Sequence, residues 1–123
     1  MEAKFAKLDG ILVVELKGRL DFETAEPFRR TCMQNLLSEK VVFDLKNLNF
    51  VGSLGLKDFV ETLENMRQQS GAGVKFCGLS SEFRRLFEAS GIIHDHVFET
   101  RERAIQSFSV QLQTTFLEEK FQP

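Results

Sequence analysis

KVVFDLKNLNFVGSLGLKDF, residues Lys40 to Phe59, is the stretch on which the fold turns. Its first part, Lys40-Val41-Val42-Phe43-Asp44, is short and β-branched, and an unbroken Val-Val-Phe run suits a strand covered on both faces. Its last part changes period. Taking Leu56 as zero and about 100° per residue, Phe59, Val60, Leu63 and Met66 fall within about 80° to either side, a helical core stripe. A helix is therefore expected from about Leu54 to Gln69, ending at Ser70-Gly71, where glycine can take the left-handed stop. A central strand that feeds an amphipathic helix is the repeating unit of an α/β fold.

The flanking sequence extends that unit in both directions. Upstream, Ala3 to Leu8 and Ile11 to Lys17 flank Asp9-Gly10, a two-residue hairpin signal because both positions tolerate positive φ. After Gly18-Arg19-Leu20-Asp21, Ala25, Phe28, Cys32 and Leu36 lie within about 80° of arc, so a helix is expected from near Thr24, with Pro27 in its first turn. Downstream, Val74 to Cys77 reads as a short buried strand. Ser80-Ser81 supplies a cap for a helix over Glu82 to Ser90 that carries Phe83, Leu86 and Phe87 on one face and stops at Gly91. Val97-Phe98 is a last short strand, and a helical stripe of Ile105, Phe108, Leu112 and Phe116 runs within about Arg101 to Phe121. A hairpin followed by alternating helices and strands implies a mixed sheet with helices packed on it.

The totals bound the function. At 123 residues one domain and one core are expected, residues 1–123, and with 13 Phe but no Trp or Tyr the aromatic packing must come from phenylalanine. A formal net charge of −2 offers no basic field for a phosphate backbone, so nucleic acid is not an expected partner. No stretch nears the roughly 18 apolar residues of a bilayer span, and no basic region with a long apolar one opens the chain. Cys32 and Cys77 match no ligand spacing and read as buried thiols in a reducing, cytoplasmic setting. His94-Asp95-His96 brings no third ligand and reads as a polar loop. Gly52-x-x-Gly55 lacks the lysine and spacing of a P-loop, and no catalytic constellation is visible. No enzyme activity, metal or cofactor is expected.

Three motifs, in order and spacing, resemble the STAS domain family, whose small members are bacterial anti-sigma factor antagonists. They are Gly18-Arg19-Leu20-Asp21, then Phe43-Asp44-Leu45 with Phe50-Val51-Gly52-Ser53-Leu54-Gly55-Leu56, and Phe83-Arg84-Arg85-Leu86-Phe87-Glu88-Ala89-Ser90-Gly91-Ile92. The resemblance covers about Lys4 to Glu102. It implies an α/β, STAS-like mixed sheet of four or five strands with helices mainly on one face, to which the residues add a long C-terminal helix over about 101–121. It also implies a bacterial regulator that binds an anti-sigma factor kinase and so frees a sigma factor. In such antagonists an Asp-Ser-Ser-Gly loop precedes the second helix, and phosphate on the hydroxyl before the glycine breaks the contact by repulsion and desolvation. This chain departs there. Matched on Gly55, it has Gly52 for the acid, Ser53 at the first hydroxyl and Leu54 at the acceptor, which cannot carry phosphate.

These residues are the candidate site. Leu54 falls near 160° from Leu56, beside Asp58, Glu61 and Asn65, on the polar side of its helix. It is either a lone exposed leucine or an apolar anchor for a protein partner. Ser53 is a good N-cap and also a candidate phosphorylation site at the positive end of a helix. Asp21 caps the first helix or, by the resemblance, contributes to the same partner surface. On the terminal helix Val110, Leu117 and Phe121 lie near 140° from Ile105, a second apolar line that marks either a dimer or partner face or a fraying tail. The expected function is a non-enzymatic binding module of the anti-sigma factor antagonist kind, lacking the usual acceptor and using Asp21, Ser53, Leu54 and Asp58. The alternative is a STAS-like scaffold of a membrane transporter or sensory complex, held through the terminal helix.

Overall fold

The computed structural model describes residues 1–20, 22–50, 53–89 and 96–108, with residues 22, 50 and 53–56 described at the backbone alone. β1 (Glu2–Leu8) and β2 (Ile11–Leu20) form the expected antiparallel hairpin, with Leu8 opposite Ile11. Asp9 and Gly10 turn it at φ of 53° and 79°, the positive pair for which Asp-Gly is suited. From there the chain crosses over through α1 (Phe22–Thr31), extended by a wider π-type turn over Cys32–Leu36, to β3 (Lys40–Phe50). Then follow α2 (Ser53–Gln69), β4 (Val74–Cys77), α3 (Ser81–Ala89), β5 (Val97–Phe98) and α4, described over residues 101–108. The five strands lie in sequence order, β1 antiparallel and the others parallel.

The sheet is covered on both sides, which is why β3 could be an unbroken apolar run. Val41, Phe43 and Leu45 face the α1, α2 and α3 side with Leu63 and Phe83, whereas Val42 faces the other side with Ile11, Val13, Cys77 and α4's Ala104 and Phe108. The larger core is held by phenylalanine. Phe28, Phe43, Phe76, Phe87, Phe83 and Phe59 form a closed ring in which each touches the next, with centroids between 5.1 and 6.5 Å apart. Burying one such side chain stabilises by about 1.5–3 kcal/mol, and each edge or offset contact adds about 0.5–1.5 kcal/mol.

Three boundaries differ from the sequence reading. α1 begins at Phe22, so Pro27 lies inside the helix and not in its first turn. The carbonyl of Glu23 thereby loses its helical donor, which is tolerable because Glu23 and Pro27 are both exposed and water can take its place. β2 runs on to Leu20, and β3 runs on past Asp44 to Phe50. Between them the register shifts, Glu15 pairing with Asp44 but Lys17 with Asn47, so one extra residue of β3 is accommodated as a bulge. The added half of β3, Leu45-Lys46-Asn47-Leu48-Asn49, buries only its two leucines, and its polar residues read as a loop. The expected helix beyond residue 108 lies outside the described residues, as do Val110, Leu117 and Phe121.

Candidate functional site

The β3–α2 junction stands at the carboxyl end of a central parallel strand, where ligands and partners of open α/β sheets are commonly met. β3 ends at Phe50 and α2 opens at Ser53, so Ser53 and Leu54 belong to the first turn of this helix. Their side chains, like Asp21, lie outside the described residues. From the second turn onward the helical stripe is as the spacing predicts: Phe59, Leu63 and Met66 are 0% exposed and Val60 3%. Asp58, Glu61 and Asn65 are exposed.

That exposed side of α2 faces α1 across a polar groove of about 330 Å³, lined by Glu26, Arg29, Asp58, Glu61, Thr62 and Asn65. Helical geometry places the lining. Asp58, Glu61, Thr62 and Asn65 are three and four residues apart, and so are Ala25 or Glu26 and Arg29. Arg29 Nη1 lies 3.5 Å from Glu26 Oε1, both on exposed side chains, a loose pair of little energetic weight. The buried Thr62 hydroxyl donates to the Asp58 carbonyl at 2.9 Å, which satisfies it within its own helix. Three carboxylates against one guanidinium give the groove an acidic balance. Asp58 is thus brought together with Glu61, and with Glu26 and Arg29 of α1, two residues that the sequence reading did not single out. Their spacing on α1 was visible, but their meeting with α2 is a tertiary event.

The opposite side of the sheet holds a second polar cluster that spacing could not reveal. Arg101 donates to Asp44 Oδ2 through Nε at 3.1 Å and Nη2 at 2.8 Å, and to Glu15 Oε2 at 3.2 Å. The hydrogen bonds that Arg101 donates to Asp44, and then to Glu15, raise the guanidinium's pKa, against the opposing cost of burial. Nearby, the buried Lys75 ammonium sits 5.5 Å from the ring centre of Phe98 and 5.2 Å from that of Phe108. These contacts fasten α4 to the sheet. Both thiols are pushed up to about 12 chiefly by burial, so they remain protonated at neutral pH. His96 is half-buried, and His94 and Asp95 lie outside the described residues. Among the described residues no group of three metal-ligating side chains forms, and no helix is long and apolar enough to cross a membrane.

Comparison with known proteins agrees with this architecture. The chain is 30% identical over 115 residues to a putative anti-sigma factor antagonist, BtrV, of Bordetella bronchiseptica, which covers 91% of this chain and 98% of the relative. It is 31% identical over 86 residues to the anti-sigma F factor antagonist of Paenibacillus polymyxa, covering 68% of this chain and 73% of that one. An anti-sigma factor antagonist structure from Mycobacterium paratuberculosis superposes with a TM-score of 0.66 over 88% of this chain and 93% of that one, at 23% identity, a likeness of fold. Residues 2–104 match the model of the STAS domain, nearly the whole of the described fold, and the chain belongs to that family.

Proposed function

We propose that the protein is a regulatory binding module of the anti-sigma factor antagonist kind, which engages an anti-sigma factor or kinase at the amino-terminal end of α2. The observation that carries this reading is the near full-length relationship to an antagonist, combined with a first α2 turn that reads Ser53-Leu54-Gly55. In the proposed mechanism Leu54 is the apolar anchor of the docking surface. Asp21, Ser53 and Asp58 form its polar border, and the acidic groove between α1 and α2 continues it. The partner is removed from its sigma factor by competition. Because leucine accepts no phosphate, the proposed contact is not dissolved at that position by the partner's kinase activity.

The test is calorimetric titration of the anti-sigma factor kinase of the same organism with wild-type protein and with Leu54→Asp. Burying a leucine contributes about 1.5–3 kcal/mol, so the charge should weaken binding at least about tenfold. The thermal midpoint should hardly move. Equal affinities for two well-folded proteins would remove this surface from consideration.

A further inference from the structure

β1 is an edge strand whose seven residues are all exposed, although its partner β2 is largely buried. It carries the two exposed large hydrophobic side chains among the described residues, Phe5 at 53% and Leu8 at 46%. They lie on opposite faces. Cross-strand partners share a face, so Phe5, opposite Val14, is on the side of α1, whereas Leu8, opposite Ile11, is on the side of α4. On the α1 side Phe5 borders an apolar groove of about 310 Å³, walled by Ala3, Val14, Pro27, Phe28 and Cys32. An open apolar edge of this kind invites a cover.

We propose that residues 109–123 of the same chain are that cover, passing over Leu8 and around the edge of β1 to Phe5 and the groove. The chain leaves the described fold at the right place. Phe108 packs in one cluster with Ile11, and Leu8 is the cross-strand neighbour of Ile11, one strand farther out. Strands are about 4.8 Å apart, so even from β4, whose Lys75 also meets Phe108, the edge is about 15 Å away, while fifteen extended residues reach about 50 Å. The segment, SVQLQTTFLEEKFQP, brings Val110, Leu112, Phe116, Leu117 and Phe121 as apolar contacts. Its charges also suit the strand: Glu118 and Glu119 outnumber Lys120, whereas Lys4 and Lys7 outnumber Glu2 on β1.

Hydrogen exchange read by mass spectrometry on the full chain tests it. Amides of β1 that point away from β2 report the cover, and those of residues 40–45 report the integrity of the fold. In wild type residues 2–8 should exchange at least about tenfold more slowly than in the double variant Phe116→Asp, Leu117→Asp, with residues 40–45 unchanged and no dependence on protein concentration. Phe5→Lys, a change at an exposed position, should likewise speed exchange in residues 109–121. Equal exchange of residues 2–8 in wild type and the double variant would overturn the proposal. So would protection that disappears on dilution, which would assign the edge to a second copy of the chain.

Discussion

Gly78 sits at φ +71, just after β4, where a Cβ would come within 2.9 Å of the Lys46 backbone nitrogen and 3.0 Å of Asp44 Oδ1. That same Asp44 oxygen accepts from the Lys46 N–H at 3.1 Å, and its other oxygen receives Arg101, so there is no slack for a methyl group. Gly78→Ala is expected to destabilise by about 2–4 kcal/mol, from left-handed strain and overlap together. Gly71 does not take the left-handed φ expected of it as the α2 stop, a conformation found instead at Gly73 (φ 110°); with open space around it, Gly71 should accept alanine within about 0.5 kcal/mol. Urea unfolding of the two variants checks this; equal midpoints would contradict it. The neighbouring Cys77 adds no reactivity, because burial keeps its thiol protonated. At this scale the sequence was informative about positions and silent about meetings. Asp44 and Arg101 are 57 residues apart, and nothing in either neighbourhood announces their contact.

At the scale of elements, α2 shows how much periodicity can carry. Its stripe of Phe59, Val60, Leu63 and Met66 was legible because an amphipathic helix repeats its signal four times, and each repeat is buried as predicted. Its last turns are braced by Arg67, which donates to Glu64 through Nε at 3.0 Å and Nη2 at 2.7 Å. The hydrogen bond from Arg67, more than its charge alone, lowers the Glu64 pKa. A lowered carboxylate pKa stabilises the fold above the unfolded value and loses that contribution as pH falls through the folded one. Glu64→Gln should therefore cost about 0.5–1 kcal/mol at neutral pH, with the difference fading below about pH 4. A variant whose deficit is the same at pH 7 and pH 3.5 would rule out the ion pair as its source. β2 and β3 extend beyond the runs visible in the sequence for the opposite reason. Beyond the bulge β3 alternates only Leu45 and Leu48 with Lys46, Asn47 and Asn49, a pattern too polar to distinguish from a loop without its partner strand. Pro27 misled in another way, since a helix accepts it outside the first turn when the freed carbonyl faces water.

Among the described residues the molecule is a five-stranded sheet with three helices on one side and α4 on the other, two clusters sharing β3 as their centre. Its family could be named from sequence because three short motifs fall in order along that scaffold, and the match over residues 2–104 agrees. The proposed partner surface is legible in the sequence only as a position. Asp58 emerges on the exposed side of α2, while Glu26 and Arg29 join it through the packing of α1 against α2, which no local pattern encodes. The proposed role divides the molecule by face: the amino-terminal end of α2 for a protein partner, the β1 edge for the chain's own last residues. Its most distinctive proposed consequence concerns phosphate, because by the family resemblance Leu54 is matched to the position of the acceptor hydroxyl. The direct measurement is titration of the purified chain with the anti-sigma factor kinase of its own organism, with and without Mg-ATP, followed by mass spectrometry of the chain. The account predicts a complex whose affinity changes by less than about twofold on adding nucleotide, with residues 53 and 54 unmodified. Absence of binding, or a complex that dissolves with ATP as phosphate appears on Ser53, would contradict it.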